Sequence, residues 1–409
     1  MNALVARQPI FDRNRNVVAY ELLFRSGKED HYDGNDDDQA TKEVIVATFL
    51  SIGMDVVTGS KRAFINFTGN LLKDKVAHLL PRDLLAVEIL ETVEPEEAVV
   101  KACQELKKAG YLLVLDDFVF HPRFQPLIEL ADIIKIDFLL TTPVERKEIV
   151  ERFKSSAHVK FLAEKVETQA IFEEAADDGY SYFQGYFFSR PVTISRPDIP
   201  VSKLSYLRLL QEVKMAEMNT SHIEKIIKRE ISFSYRLLKY INSSAFSFRQ
   251  EIHSIKQAVS LLGQRELLKW VSLNSMCIMG ESKPPELIAT ALVRGYFLEL
   301  IAIDLGKKQI APDLFIMGLF SLIDVVLDCP LAVILEELPV SKEVKFALMG
   351  VEGFYYDIYQ LVLSYERADW QHVIQYAQIV GVAEKKLLKL YIQALAWAQE
   401  FSKVKIKSL

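Results

Sequence analysis

The chain has 409 residues, 50% of them apolar and 25% charged, with a formal net charge of −6. That length allows two or three domains with ample cores, the composition is that of an ordinary globular protein, and the acidic balance excludes a non-specific grip on nucleic acid or an anionic membrane. Three scattered cysteines, Cys103, Cys277 and Cys329, lie outside any CxxC spacing. They exclude a disulfide framework or a structural zinc site and make a reducing cytoplasm the expected compartment.

At the start, Arg7 is followed by Gln8 and Pro9 instead of an apolar core, so no signal peptide is expected. The first half then repeats one pattern: a short apolar, β-branched run, a polar residue, and a stretch of helical character. The runs are "VVAYELLF", "RAFIN", "LLAVEIL", "YLLVLDD", "ADIIKID", "VKFLAEK" and "YSYFQGYFF". Between two of them, "PEEAVVKACQELKKAG" puts Ala98, Cys103 and Leu106 near helical spacing, with Gly110 to stop the helix. Strands alternating with helices argue for a parallel sheet, and seven or eight such units in about 190 residues predict a small β/α barrel.

Three prolines in "SRPVTISRPDIPVS" (189–202) break this rhythm, and we place the domain boundary there, between residues 1–195 and 196–409. Beyond it the chain reads as a helical bundle. Ser221 with Glu224 forms a predicted capping box. Ile223, Ile226, Ile227, Ile231, Leu237, Leu238 and Ile241 then share one face, and Gly263 is a predicted C-cap. The most apolar stretch, residues 314–335, is interrupted by Asp324, Asp328 and Pro330, so a buried helix is expected there and no membrane span.

In a β/α barrel the working face is the C-terminal end of the strands. Reading off the predicted strand ends gives Glu21, Asn66, Glu88, the adjacent pair Asp116 and Asp117, Lys135, Glu164 and Gln184, of which five are acids. A lone strand-end acid is ordinarily a helix cap or a solvated rim charge; the common placement, strand after strand, sets this group apart. Two carboxylates about 4 Å apart repel by roughly 4 kcal/mol at an effective dielectric of 20, so converging acids must protonate or recruit a cation. Hard oxygen ligands, one of them an amide, favour magnesium or manganese over zinc. Two such ions, roughly 3.5–4 Å apart, are the usual device for in-line attack on a phosphodiester. Lys135 would orient the attacking water or offset phosphate charge.

The segments "YELLFR" (20–25), "INFT" (65–68), "VEILE" (87–91), "LDDF" (115–118), "IKID" (134–137), "AEKVET" (163–168) and "FQGYFFSRP" (183–191) resemble, in order, the signatures of the EAL domain family. "RQPIFD" (7–12) resembles that family's first strand, and the likeness covers residues 1 to about 195. The resemblance implies a β/α-barrel (TIM-like) phosphodiesterase that opens cyclic di-GMP to linear pGpG with Mg2+ or Mn2+, as two ions. It further implies Glu21, Asn66, Glu88 and Asp116 as metal ligands, with Asp117 on the second metal. Lys135 matches the lysine near the attacking water, Glu164 a base or part of the metal shell, and Gln184 the glutamine completing the site. Arg25 resembles an arginine that grips a substrate phosphate, Gln8 a residue beside a guanine, and Glu91 a residue supporting the loop. The chain departs from the family at Leu22, at the "VFHPRF" loop (119–124) and at Lys165 in place of glycine. Every ligand is kept, and weakened or differently regulated turnover is expected.

The helical half resembles the HDOD family, relatives of HD phosphohydrolases without the metal pair, through residues 232–270. None of the seven histidines precedes an aspartate, and "GLFSLID" (318–324) has Ser321 and Leu322 where an active relative has His-Asp. His222, His253 and His372 are read as surface or capping residues, and this half as a regulatory module for an unknown protein partner. The tandem resembles the YuxH type of signalling protein, with a homodimer left open. A non-cleaving cyclic di-GMP receptor or scaffold is the competing reading, supported by Leu22 and the "VFHPRF" loop, and a pure protein adaptor a third. The acidic stretch 31–40 lacks the glycine and glutamate of an EF-hand and is expected to be a solvated loop. The aromatic run 354–365 is expected to pack in a core.

Overall fold

The computed structural model describes residues 4–25, 38, 53–117, 121–153, 158–189, 201–214, 219–229, 231–242 and 250–406. The boundary segment 191–200, the acidic stretch 31–40 apart from Asp38, and residues 118–120 of the "VFHPRF" loop lie outside them. Two compact units divide the chain: residues 1–190 together with 360–409, and residues 191–359. The sequence boundary assigned everything beyond 195 to the helical half, whereas the last fifty residues belong with the first unit.

In that first unit eight strands close a barrel in chain order. They are β1 (Leu4–Asp12), β2 (Val17–Arg25), β3 (Arg62–Phe67), β4 (Leu85–Ile89), β5 (Leu112–Leu115), β6 (Ile133–Asp137), β7 (Lys160–Glu164) and β8 (Tyr182–Gln184). All seven runs picked from the sequence contain a strand. From β2 to β8 neighbours are parallel, as the βα alternation requires, but β1 runs antiparallel to both β2 and β8. The reason is local. Asp12 Oδ1 accepts the amides of Asn14 and Asn16, each at 2.8 Å, and Arg15 adopts φ 62, so the chain reverses in a tight turn with no crossover helix. The last run, "YSYFQGYFF", is strand only over Tyr182–Gln184 and then a short 3₁₀ turn, Tyr186–Ser189.

Helices between the strands start where the sequence supplies caps. Thr68 and Thr168 accept from Leu71 and Ile171 amides, and Thr142 with Glu145 forms a full capping box ahead of Pro143. The helix Glu97–Lys108 ends just before Gly110 at φ 88, as expected, but its buried face is Val99, Ala102, Cys103 and Leu106; Ala98 faces solvent. Inside the barrel, one layer consists of Ile10, Ala19, Phe64, Ala86, Val114, Ile133 and Leu162, with Leu112 and Tyr182 packed against it. This is the floor on which the site stands.

The second unit is helical. Its first described elements are Val201–Lys214, Thr220–Arg229 and Ile231–Ile241, so the apolar face read as continuous is shared between the last two. Asn219 caps the first of the last two by accepting the His222 amide at 3.0 Å, two residues ahead of the Ser221 expected from the sequence. Gly263 (φ 71, ψ 170) interrupts the helix Ile255–Met279. The apolar stretch expected as one helix forms Ala311–Phe320, Ile323–Leu327 and Leu331–Glu337, because Asp328 turns left-handed and Pro330 cannot continue a helix. Helices Pro285–Asp304 and Ala311–Phe320 cross at Gly295 and Gly318, whose backbones approach so closely that a Cβ on Gly318 would lie 2.7 Å from Gly295 Cα. Among the described residues no helix is long and apolar enough to cross a membrane.

Candidate active site

Strand side chains alternate between faces, so the residue two places beyond an inward-facing apolar residue also faces inward. Applied to the floor layer, this rule builds the site. Glu21 follows Ala19, Asn66 follows Phe64, Glu88 follows Ala86 and Asp116 follows Val114. Lys135 follows Ile133, Glu164 follows Leu162 and Gln184 follows Tyr182, while antiparallel β1 delivers Gln8 two places before Ile10. One ring of apolar side chains thus carries one ring of polar ones at the barrel mouth.

At its centre is the Lys135 ammonium. It pairs with Glu88, and lies 2.7 Å from Glu164 Oε1, 2.8 Å from Asp116 Oδ1 and 3.6 Å from Glu21 Oε1. Lys135 is 1% exposed and Glu88 0%. Gln184 Nε2 donates to Glu21 Oε2 at 2.5 Å and to Gln8 Oε1 at 3.0 Å, linking β8, β2 and β1. Asn66 is in register with Glu88 across β3 and β4. The sequence expected Lys135 beside a water; in the structure its Nζ is the hub of the carboxylates.

Four carboxylates face one ammonium, an excess of three negative charges if all ionise. Burial, with Lys135 opposing it and the neighbouring acids adding to it, raises the Glu164 carboxyl to about 8. Burial raises Glu88 well above the ordinary carboxylate range in the same way. Burial also opposes the charge on Lys135, but Glu164, Glu21, Glu88 and Asp116 overcome it and hold the ammonium firmly protonated. Asp117 takes a left-handed backbone (φ 39) and Lys165 another (φ 53), conformations that cost a non-glycine residue about 1 kcal/mol or more each and cluster at functional sites.

The donor set fits a hard divalent cation. One oxygen each of Asp116, Asp117 and Glu164 lies within 4.8 Å of the others. Glu88 Oε2, Asp117 Oδ1 and Gln184 Oε1 are buried and accept no hydrogen bond, leaving lone pairs free for a cation. Next to it a cavity of about 220 Å³ is walled by Glu91, Asp116 and Asp117 with Leu115, Arg123 and Phe124. Of the candidate site residues read from the sequence, only Arg25 cannot be placed, since its side chain lies outside the described residues at the end of β2. Sequence reasoning passed over Asp137, buried two places beyond Lys135. It accepts amides from Leu139 at 2.6 Å and Leu140 at 3.1 Å and pairs with Lys165. Burial works against its charge, and those donors outweigh it and hold the carboxyl below its ordinary value. The "IIKID" spacing carried that signal.

Comparison with known proteins agrees with this architecture. The EAL domain model matches residues 43–191 and the HDOD domain model residues 199–332. YuxH of Bacillus subtilis is 38% identical over 99% of this chain and 100% of its own length. Cyclic di-GMP phosphodiesterase CdgJ of Vibrio cholerae is 35% identical over 98% of this chain and 93% of its own. Among solved structures, the manganese/cy-diGMP complex of Klebsiella pneumoniae BlrP1 is 22% identical at a TM-score of 0.38, over 47% of this chain and 56% of that one. The barrel is that of the EAL class. The chain belongs to the family of two-domain proteins in which an EAL domain precedes an HDOD domain.

Proposed function

We propose that the barrel is a metal-dependent phosphodiesterase that hydrolyses cyclic di-GMP to linear pGpG. The observation that carries this reading is the excess of buried carboxylates over Lys135, with unpartnered oxygens on Glu88, Asp117 and Gln184. The two-domain relative CdgJ, similar over nearly its whole length, bears the name of that activity. Glu21, Asn66, Glu88 and Asp116 would hold one Mg2+ or Mn2+ and Asp117 a second. When bound, such ions lower the pKa of water and neutralise charge on the phosphate.

The chain's own residues do the rest. Water adds to phosphorus, one P–O3′ bond breaks, and the leaving oxygen takes a proton from solvent. Glu164 Oε1 accepts the proton from water, and Lys135 Nζ, held charged by its neighbours, offsets the growing charge on the phosphate oxygens. Gln8 and Gln184 orient the substrate at the β1 side, Arg25 meets a phosphate, and Glu91 supports the loop beside Asp117. The HDOD unit serves as a non-catalytic module for a protein partner. The test is chromatography of products: with Mn2+ or Mg2+ the protein releases pGpG, and Glu21→Ala or Asp116→Ala abolishes release while the circular dichroism spectrum is kept. Wild-type release no faster than that of Asp116→Ala would defeat the reading.

One observation favours a second reading, a cyclic di-GMP receptor that does not cleave. Lys135 already serves the acids as an internal counter-ion, as a site working without metal would need. Calorimetric binding of cyclic di-GMP without product would select it.

A further inference from the structure

The helical unit is an insertion: the first unit leaves off at Arg190 and resumes at Gln360. The resumed segment grips the barrel at three places. Tyr365 is buried against Trp370 and Tyr391, ring centroids 5.6 and 4.9 Å away, with its hydroxyl close enough to the Val5 backbone of β1 to feel it electrostatically. Gln399, in the helix Glu384–Ile406, donates Nε2 to Val56 O at 2.8 Å, while Arg7 of β1 donates to the next carbonyl, Val57 O, at 2.6 Å. The last carbonyls of the helix Met54–Thr58 have no partner within their own helix, so their satisfaction from both sides ties β1 to the C-terminal helix. Third, the Arg367 guanidinium stands over the Tyr186 ring at 5.8 Å.

All three grips bracket one edge of the site. Val5 and Arg7 precede Gln8 on β1, and Tyr186 follows Gln184 by two residues. β1 is laddered to β2 from Leu4 to Phe11, so the sparsely paired side of this edge is the one towards β8. β8 is three residues long and pairs with β1 only from Ile10 to Asp12, while Gln8 reaches Gln184 through a single side-chain hydrogen bond at 3.0 Å.

We propose that residues 360–406 are positioning elements of the substrate-binding edge, holding β1 and the Tyr186–Ser189 turn so that Gln8 and Gln184 meet over Glu21. This rests on reading that edge as a contact for cyclic di-GMP. The segment is part of the barrel's working unit and not of the helical module whose end it follows in sequence.

The test uses full-length Arg367→Ala and Gln399→Ala, with Glu105→Gln, at an exposed surface ion pair, as control. Amide exchange in β1 and β8 rises about fivefold in both variants, the effect of one lost interaction of ordinary strength, while β4 and β6 exchange as in the wild type. In steady state KM for cyclic di-GMP rises about fivefold and kcat stays within twofold. Unchanged exchange in β1 and β8 overturns the proposal. So does an equal rise in every strand, which marks loss of overall stability, or a fall in kcat at constant KM. If the wild type does not cleave cyclic di-GMP, the functional reading fails by itself, and the exchange pattern still decides whether the segment positions this edge.

Discussion

Lys135 Nζ and Glu164 Oε1 lie 2.7 Å apart at the mouth of the barrel, on adjacent strands whose register pairs Lys135 with Leu162. The offset of two residues turns both side chains into the same interior, where the lysine also meets Asp116 and Glu88. A lysine 1% exposed among four carboxylates is a counter-ion whose removal leaves buried charge uncompensated. Lys135→Met should destabilise the metal-free protein by about 3–5 kcal/mol, the range for breaking a buried pair from one side. Added Mn2+ should return more of that stability than it gives the wild type. Denaturant melts with and without Mn2+ check this; equal metal effects in the two proteins would show that Lys135 and the ion do not share the same acids.

Glu164 supplies a prediction about pH. Its carboxyl, 4.5 in the ordinary state, is raised to about 8 by burial, with Glu21 and Asp116 adding and Lys135 opposing. A raised value means that the metal-free fold prefers the protonated acid. That contribution is complete below about pH 4.5 and is lost as pH rises through 8. A bound divalent cation needs the ionised form, so metal binding at pH 7 should expel protons. Calorimetry of Mn2+ binding in two buffers of different ionisation enthalpy reads this as a difference in observed heat, and Glu164→Gln should shrink it. Identical heats in both buffers would contradict the assignment.

Gly185 is the residue that allows Gln184 to reach Glu21. Its φ is 145, and a Cβ there would lie 2.1 Å from the Val166 carbonyl oxygen, which itself accepts the Phe187 amide. Gly185→Ala should therefore cost about 3 kcal/mol or more, a combination of overpacking and backbone strain. Activity should fall with it, because β8 is displaced. Urea denaturation midpoints measure the first effect; a loss under about 1 kcal/mol would mean that the turn has room to move.

Lys165 is a contrasting case. Its left-handed backbone favours glycine, while its side chain, about half exposed, pairs with Asp137. A half-exposed ion pair contributes about 0–1 kcal/mol, comparable to the strain relieved, so Lys165→Gly should be close to neutral in stability. Its effect should appear instead in the Leu139–Leu140 turn held by Asp137, as faster exchange of those two amides. Protection unchanged there would assign that turn to its backbone alone.

The strand-end acids were legible because seven apolar runs each carried a polar residue at the predicted strand end, which a period of two turns to the same face as the apolar residue two places before it. Gln8 on β1, by contrast, was reached only through the family likeness. The seat of Lys135 was not, since it depends on side chains from β2, β4, β5 and β7 closing over one point. Asp137 was hidden by its own neighbour, having the same inward phase but no place in a list of single residues per strand. Helix periodicity identified buried faces such as Ile223, Ile227 and Leu237 but not the body they pack on. For the same reason the return of residues 360–406 to the barrel could not be read from their pattern. Local positions slipped by a residue or two, Asn219 for Ser221 as a cap and Val99 for Ala98 on a buried face, because neighbouring polar or apolar residues satisfy the same rule locally. The direction of β1 was legible in principle, since "DRNRN" between β1 and β2 leaves no length for a helix.

The central claim is that acids from separate strands converge to hold divalent ions at one barrel mouth. Anomalous diffraction from crystals soaked in Mn2+ tests it most directly. The account predicts manganese peaks bounded by Glu21, Asn66, Glu88 and Asp116 and by Asp117, with the Lys135 ammonium drawn aside. Full manganese occupancy elsewhere, with these side chains still gathered around Lys135, would contradict it.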